Sequence, residues 1–192
     1  MKLILASTSK YRKKLLQEAG FDVACIAPDY DEKALENLAP IALVAHYSRQ
    51  KALSLCARYP DDLIIGSDQA LIAGDTLYGK PGTFEVACRQ LQTLRGKTAI
   101  LATGVAVVHR DQVREAMNLA TLHFRDDLTD GAIEAYVRAD LPLDCAGSFK
   151  IEARGARLFS AIETTDPTAI QGIPILQLNR LLVDFCPEFD RF

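Results

Sequence analysis

The sequence predicts an α/β fold (mixed α+β) built on one long mixed β-sheet. Short apolar runs typical of buried strands alternate with segments of helical spacing. Two predicted hairpins are inserted in this alternation, so part of the sheet is antiparallel. The polar residues cluster where predicted strands end, which is where ligands of such sheets usually bind. No repeat, linker or low-complexity segment divides the 192 residues, so we expect a single domain, 1–192.

The first elements alternate between strand and helix. Residues 2–6 read KLILA, without charge after Lys2, which predicts a fully buried strand. Residues 10–19 have apolar side chains at helical spacing, and Gly20 follows in the position that ends a helix. Residues 21–26 form a second predicted strand, which leads into an acidic loop.

The next segment predicts a long helix, a strand and a hairpin. Residues 40–59 have the spacing of an amphipathic helix. Residues 63–65 predict a buried strand that ends at the sequence GSDQ. The stretch after it reads as a hairpin that turns at Gly74-Asp75.

The rest of the chain contains three predicted helices and a pair of strands. The pair is joined by a short charged turn. The last helix is expected to begin at Pro174, because proline suits the first helical position. The predicted helices are 83–94, 129–138 and 174–185, and the strands are 99–109 and 115–124.

Charge and composition exclude several functional classes. The net charge is −3 with a pI of about 5.6, whereas binders of nucleic acid or anionic membranes need a basic face. We therefore expect no nucleic-acid binding. No apolar run approaches the length of a membrane span or a signal peptide, so we expect a soluble protein that binds no membrane.

The five cysteines are too far apart for a CxxC pattern, and their number is odd. A disulfide framework or a zinc site is therefore not expected. We expect reduced, mostly buried thiols and a cytoplasmic location.

The sequence ASTSKYRKK places hydroxyls and cations at the start of the first helix. Free backbone N–H groups at a helix start attract anions, and nearby basic side chains strengthen the attraction. A phosphate is the natural ligand. On spacing alone, however, an ordinary helix cap beside a solvated basic turn explains Ser7, Ser9 and Arg12 better.

Four further residues are candidates for chemistry, each with a structural alternative. Asp68 follows a predicted strand and could hold a metal or polarise a water, or it could be a turn aspartate. Lys51 lies within an apolar helix face, so it must snorkel or find an anion; snorkelling is the commoner outcome. Glu32 belongs to an acidic loop that binds Mg²⁺ or is only solvated. Lys80 lies in a rigid GKP turn and is weak evidence alone.

Six motifs in order resemble the Maf family of nucleotide pyrophosphatases, over residues 3–175. The motifs are LASTSKYRKKLL, APDYDE, RQKAL, IIGSDQ, GKP and AGSFKIEARGA. The resemblance implies a fold like that of the inosine-triphosphatase group, with two lobes flanking a deep cleft. It also implies cleavage of nucleoside triphosphates between the α and β phosphates, with a divalent metal, Mg²⁺ or Mn²⁺.

The resemblance assigns roles to the candidate residues. Ser7, Ser9 and Arg12 match the phosphate-gripping loop, and Lys51 and Lys80 match two lysines of the family. Asp68 matches its presumed base. The implied metal ligands are Asp68 and Glu32. A triphosphate needs such converging donors and cations even in an acidic protein.

Three positions resemble the subgroup that prefers 7-methyl-GTP over dTTP and UTP: Tyr11, Gln69 and Glu152. A carboxylate accepts both Watson–Crick donors of guanine but repels the carbonyls of a pyrimidine. Methylation at N7 makes the base cationic, which favours the carboxylate and the tyrosine ring, at about 0.5–2 kcal/mol for the ring contact. Lys10 stands where family members typically have proline.

Two other functions remain open at this stage. One is the same chemistry on canonical or other modified nucleotides, including dTTP and UTP. The other is a non-catalytic nucleotide-binding regulator of cell division, a role to which the family has been linked. A homodimer is an assembly that the sequence leaves open.

Overall fold

The structure is a computed structural model that describes residues 1–32 and 38–190. Its strands and helices alternate, with short 3-10 helices among the later elements. The strands are β1 (Leu3–Ala6), β2 (Val23–Ile26), β3 (Leu63–Ala73), β4 (Thr76–Tyr78), β5 (Thr98–His109), β6 (Gln112–Phe124) and β7 (Phe159–Glu163). The helices are α1 (Lys10–Glu18), α2 (Pro40–Leu53), α3 (Phe84–Leu94), α4 (Asp130–Asp140) and α5 (Ile175–Phe185).

The described strands form one seven-stranded mixed sheet, which confirms the predicted fold class. Their order is β2-β1-β3-β5-β6-β7, and β4 pairs with β3 beside this path. β1 runs parallel to both β2 and β3. The β3–β4 and β6–β7 pairs are antiparallel.

The chain divides into two compact units. Unit 1 consists of Met1–Asp68, Thr103–Asn118 and Asp166–Phe192, and unit 2 of Gln69–Ala102 and Leu119–Thr165. Three strands, β3, β5 and β6, contain residues of both units.

Unit 1 buries both faces of its part of the sheet. Successive side chains of a strand point to opposite faces. Leu3 and Leu5 of β1 accordingly belong to one apolar cluster with residues of α1 and α5, and Ile4 and Ala6 belong to another with the end of α2. Burying a side chain as fully as Leu5 contributes about 2 kcal/mol.

Unit 2 packs α3 against α4. Each helix starts at a threonine whose hydroxyl accepts a backbone N–H of the first turn, Thr83 from Val86 and Thr129 from Ala132. The hairpin between β3 and β4 turns at Gly74, which has a positive φ of 58°. These caps and this turn confirm the predicted boundaries.

Several predicted boundaries are wrong, and β2 and β6 begin at Val23 and Gln112, not at 21 and 115. β3 does not end at GSDQ but continues to Ala73. α2 ends at Leu53, not Tyr59, because the hydroxyl of Ser54 donates to the carbonyl of Lys51 and the chain continues in turns. Pro174 is the N-cap of α5 and not its first helical residue.

The sequence also did not predict β7 and the short 3-10 helices of the late loop. β7 has five residues, and most of them are exposed or half-buried. Its sequence, FSAIE, has neither a continuous apolar run nor a regular alternation by which to recognise it.

All five cysteines are free, but the expectation of mostly buried thiols is wrong. Only Cys88 is buried, Cys25 is exposed, and the other three are half-buried. Cys25 lies on β2, which is an edge strand of the sheet with two exposed positions. Among the described residues, no helix is long and apolar enough to cross a membrane.

Candidate active site

The loop before α1 is built around two serine hydroxyls. Ser9 caps the helix, and its Oγ accepts the backbone N–H of Arg12 at 3.4 Å. The buried Ser7 accepts the backbone N–H of Ser9 at 3.1 Å. Each hydroxyl is an acceptor in these bonds, so its own O–H remains able to donate to an oxyanion. The same hydroxyls can therefore cap the helix and bind a phosphate.

Arg12 is held from the far end of the chain. Its Nε donates to the carbonyl of Gly172 at 2.9 Å. Gly172 has a φ of +105°, and a Cβ there would lie 3.2 Å from Arg12 Nε, so only glycine suits this position. Burial lowers the pKa of the Arg12 guanidinium, while the nearby carboxylates of Asp68 and Glu32 act to raise it.

The carbonyl of Gly172 is itself fixed by Ser67. The buried Ser67 hydroxyl lies 2.8 Å from this carbonyl and 2.8 Å from that of Gly104. The polar pair Ser67-Asp68 is thus accommodated inside β3, because both residues find partners there. This is the physical reason why the strand continues where the sequence predicted an end.

Two glycines let α2 approach the sheet closely. A Cβ at Gly66 would lie 2.0 Å from the carbonyl oxygen of Ser48, and a Cβ at Gly104 would lie 2.5 Å from Ser48 Oγ. Ser48 Oγ accepts the backbone N–H of Asp68 at 2.9 Å and donates to the carbonyl of Val44 at 2.8 Å. This contact of helix with strand fixes Asp68 opposite α2.

The close approach produces a charged cluster, which we call the Lys51 centre: Lys51, Asp68 and Glu32. Lys51 Nζ lies 2.6 Å from Asp68 Oδ1 and 2.7 Å from Glu32 Oε1. Lys51 is 7% exposed, so it pairs with anions and does not snorkel. The Asp68 side chain is 17% exposed and that of Glu32 50% exposed.

Three rings pack together, and one of them, Tyr47, lies within electrostatic reach of Glu32 and Asp68. Tyr30 OH lies 3.1 Å from His46 Nε2, and both rings pack near Tyr47. Burial chiefly, followed by the charge of Glu32, raises the pKa of Tyr47. The phenol is therefore a neutral group beside the two carboxylates. No role for His46 was predicted, and the structure makes it a partner of Tyr30.

The two carboxylates suit a divalent cation in part. Mg²⁺ is commonly held by one or two carboxylates together with substrate phosphates and water. Asp68 and Glu32 already converge on one cation, the ammonium of Lys51. Among the described residues, no group of three or more His, Cys, Asp and Glu side chains could hold a metal. Within the described residues, Asp68 and Glu32 are two carboxylates that could ligate such a cation, and substrate and solvent would have to supply the other ligands.

Unit 2 contains three other predicted site residues: Gln69, Lys80 and Glu152. Lys80 is exposed in its turn. The carbonyl of Gly79 accepts the backbone N–H of Gly147, and the N–H of Gly82 donates to the carbonyl of Leu143. The turn that carries Lys80 is thus tied to the segment that leads to Glu152, which is also exposed.

Tyr11 lies on the first turn of α1, half-buried. The ammonium of Lys10 lies 5.0 Å from the centre of its ring. The residue that replaces the family's proline therefore contacts the ring that the resemblance assigns to the base.

Four residues that complete the unit 1 site were not predicted: Tyr47, Ser48, Ser67 and Gly172. A signal existed for Ser67, which follows a glycine directly before Asp68. Ser48 lies three residues before Lys51, on the same helix face. Gly172 is separated from Arg12 by 160 positions, and no local pattern relates them.

The chain belongs to the Maf-like protein family, since the family model with that description matches residues 2–185. It is 42% identical over 181 residues to the 7-methyl-GTP pyrophosphatase of Xanthomonas axonopodis pv. citri (strain 306), covering 94% of this chain and 95% of that protein. It is 43% identical to the protein of the same name from Aromatoleum aromaticum (strain DSM 19018 / LMG 30748 / EbN1), with 94% of each chain covered.

Solved structures agree on the fold. The Ham1 protein of Staphylococcus aureus superposes with a TM-score of 0.53 at 14% identity, covering 96% of this chain and 100% of that one. A HAM1 protein from Coxiella burnetii gives 0.53 at 13% identity, with 96% and 99% covered. At this identity the likeness concerns the fold alone.

Proposed function

We propose that this protein is a nucleoside triphosphate pyrophosphatase that hydrolyses 7-methyl-GTP to 7-methyl-GMP and pyrophosphate. The observation that carries the proposal is the Lys51 centre, in which a buried lysine lies between two carboxylates. Such a centre combines a base, a cation and ligands for a metal. Relatives about 40% identical over nearly the whole chain bear the name of this activity.

The phosphate chain is bound by hydroxyls and cations in this proposal. The O–H groups of Ser7 and Ser9 donate to phosphate oxygens at the start of α1. The Arg12 guanidinium offers its remaining N–H groups to the same anion, because only its Nε is engaged by Gly172. Lys80 adds a positive charge from its exposed turn.

Asp68 is the base. A water molecule attacks the α-phosphorus, the bond from that phosphorus to the bridging oxygen breaks, and pyrophosphate leaves. The proton of the water passes to Asp68, whose backbone is fixed by Ser48. Lys51 and Arg12 offset the charge that develops on the phosphate oxygens. A divalent cation, Mg²⁺ or Mn²⁺, held by Asp68 and Glu32 would acidify the attacking water and neutralise phosphate charge.

The nucleobase of the substrate is selected by charge and by hydrogen bonding. Glu152 accepts the two donors on the Watson–Crick edge of guanine, and the ring of Tyr11 contacts the cationic face of 7-methylguanine. Gln69 lies beside Asp68 in the chain and contributes a further amide to the nucleotide. We propose that the protein acts in the cytoplasm on a nucleoside triphosphate substrate, as a single domain.

A substrate panel tests the proposal. Pyrophosphate release is measured with 7-methyl-GTP, GTP, dTTP and UTP, each with Mg²⁺ and with Mn²⁺. The expected result is the highest kcat/KM for 7-methyl-GTP. Highest activity on dTTP or UTP would keep the chemistry and reject the substrate. No release from any nucleotide would favour the non-catalytic regulator.

One double variant tests the two residues that are proposed to recognise the nucleobase, Glu152 and Tyr11. Glu152→Gln combined with Tyr11→Arg introduces a donor-acceptor amide and removes the aromatic face. We expect the ratio of kcat/KM for 7-methyl-GTP over UTP to fall by about tenfold or more, since paired hydrogen bonds of this kind discriminate by a few kcal/mol. An unchanged ratio would mean that the base is recognised by other residues.

A further inference from the structure

The late loop around Glu152 is anchored by a group that the proposed chemistry does not use. We infer that Asp140 and Arg154 position the carboxylate of Glu152 and thereby determine base specificity. This inference rests on the proposed function, in which Glu152 contacts the base. Neither Asp140 nor Arg154 is assigned a role by the motifs or the comparisons.

The loop is short and closed on itself. The carbonyl of Lys150 accepts the backbone N–H of Ala153 at 3.2 Å and that of Gly155 at 2.9 Å. A Cβ at Gly155 would lie 2.3 Å from this carbonyl oxygen, so the closure requires glycine. Glu152 lies inside the closed turn, two residues after Lys150 and two before Arg154.

Both arms of the turn are attached to the end of α4. On one side, the backbone N–H of Arg154 donates to Asp140 Oδ2 at 2.8 Å, and its Nη1 donates to Oδ1 at 2.6 Å. On the other side, the backbone N–H of Lys150 donates to Tyr136 OH at 2.9 Å. Lys150 Nζ also donates to the carbonyl of Asp140 at 2.7 Å.

The burial of these groups is unequal, and this indicates which one directs the turn. The Asp140 side chain is 1% exposed, whereas that of Arg154 is 60% exposed. A carboxylate buried this deeply needs its donors, and here both oxygens receive one from Arg154. If the turn moved away from α4, the buried carboxylate of Asp140 would lose both of its donors from Arg154. The position of the turn's backbone is therefore tightly defined.

This matters because Glu152 is exposed and takes its direction from the backbone that carries it. Recognition by paired hydrogen bonds requires the carboxylate to be placed within about 0.5 Å. Loss of either attachment of the turn to α4 should therefore weaken discrimination between nucleobases more than it slows the reaction at phosphorus.

The test compares Arg154→Ala with a matched control, Arg157→Ala. Arg157 is an exposed arginine three residues later whose backbone carbonyl, not its side chain, accepts from Arg125. For Arg154→Ala we expect kcat/KM on 7-methyl-GTP to fall about tenfold, mainly through KM, because one charge-assisted hydrogen bond is lost. On UTP the change should stay below about twofold, and Arg154→Lys should recover part of the loss. Arg157→Ala should match the wild type on both substrates.

Two further variants separate the possible failures. Tyr136→Phe removes the acceptor of the other arm and should lower the same substrate ratio, even if Arg154→Ala folds poorly. Glu152→Gln tests the proposed function itself. Suppose that Glu152→Gln changes the ratio of kcat/KM for 7-methyl-GTP over UTP, while Arg154→Ala and Tyr136→Phe do not. The positioning role of Asp140 and Arg154 is then refuted, and recognition of the nucleobase by Glu152 is kept. If Glu152→Gln leaves the ratio unchanged, base reading by Glu152 fails and the positioning role fails with it.

Discussion

Two charged clusters of the molecule each bury a charge: the Lys51 centre of unit 1, and the pair Asp140 and Arg154 of unit 2, which we call the Asp140 cluster. The two clusters balance the buried charge in opposite ways. At Lys51 one ammonium, 7% exposed, faces two carboxylates that remain partly open to solvent. At Asp140 one carboxylate, 1% exposed, receives donors on both oxygens from a single residue. The carboxylates of the first cluster are accessible to solvent, whereas the carboxylate of the second is enclosed.

This difference distinguishes a carboxylate suited to catalysis from one suited to a structural role. A carboxylate that is closed off from solvent and held by protein donors on both oxygens is poorly placed to meet a substrate or a cation, so it stabilises a conformation. A carboxylate that shares one cation with a second carboxylate keeps lone pairs for a proton or a metal. Asp68 is therefore the better candidate for a catalytic group, and Asp140 for a structural one.

The largest expected effect comes from Asp68→Asn. The substitution removes the base while keeping the shape, so we expect turnover of 7-methyl-GTP to fall about a thousandfold. Lys51 keeps Glu32 as a partner, and the free energy of unfolding should therefore change by about 1 kcal/mol or less. Pyrophosphate release, calorimetric titration with the nucleotide and thermal unfolding measure the three quantities. Near-normal turnover would remove Asp68 from the chemistry and make the two clusters alike.

A smaller effect is expected when α2 is pushed from the sheet. Gly66→Ala places a Cβ 2.0 Å from the backbone oxygen of Ser48, so the helix that carries Lys51 must move. We expect a loss of about 3 kcal/mol in unfolding free energy, and lower turnover in the protein that remains folded. Denaturant titration and kcat measure these losses.

Gly131→Ala is the matched control for that variant. Gly131 lies in the first turn of α4 with nothing near its Cβ position, so this change should stabilise the protein slightly. Equal stability of the two variants would contradict the close contact between α2 and β3.

Asp140→Asn should have the converse effect to Asp68→Asn. An amide nitrogen replaces an oxygen that accepts from Arg154, so two donors meet. We expect a loss of about 2 kcal/mol in the free energy of unfolding and a Tm lower by about 5 °C. Turnover of UTP per folded molecule should be nearly unchanged. A variant as stable as the wild type would show that the buried carboxylate does not anchor the turn.

The smallest expected effect is a pH dependence near the Asp140 cluster. Burial chiefly, with the charge of Asp144, raises the pKa of the Cys145 thiol to about 12, against about 8.5 in an unfolded chain. Between these values the unfolded chain loses the proton and the folded one keeps it, so stability falls as pH rises. Below about pH 8 the thiol is neutral in both states and has no effect.

Cys145→Ala should therefore reduce the drop in Tm between pH 8 and pH 10.5. Cys186→Ala provides the matched removal of another half-buried thiol. A drop of the same size in Cys145→Ala and in the wild type would show that this thiol is not shielded.

Much of the fold was predictable because local signals define it. Threonines at the starts of α3 and α4 and a glycine at the β3–β4 turn are short-range features, and all three were identified. The errors occurred where tertiary partners override local preference. Polar residues inside β3 are tolerated because Gly172, Gly104 and Ser48 supply partners from distant segments.

The candidate site follows the same division. Lys51, Asp68 and Glu32 were identified from residue type and from motifs, and the structure brings them together in unit 1. That Lys51 is paired with anions, and does not snorkel, could not be predicted. The answer depends on how closely α2 approaches β3, which two glycines and a serine decide together. The proximity of Lys51, Asp68 and Glu32 is observed, but the roles of all the candidate site residues stay predictions, including those of Gln69, Lys80, Tyr11 and Glu152.

The sequence by itself determined the order of most elements, the net charge and the kinds of side chain available for chemistry. These properties depend on composition and on neighbours within a few residues. Only the tertiary structure decided which charges meet, because the attraction between an ammonium and a carboxylate depends on a separation of a few ångströms. Such separations are fixed by packing between segments that are far apart in the chain.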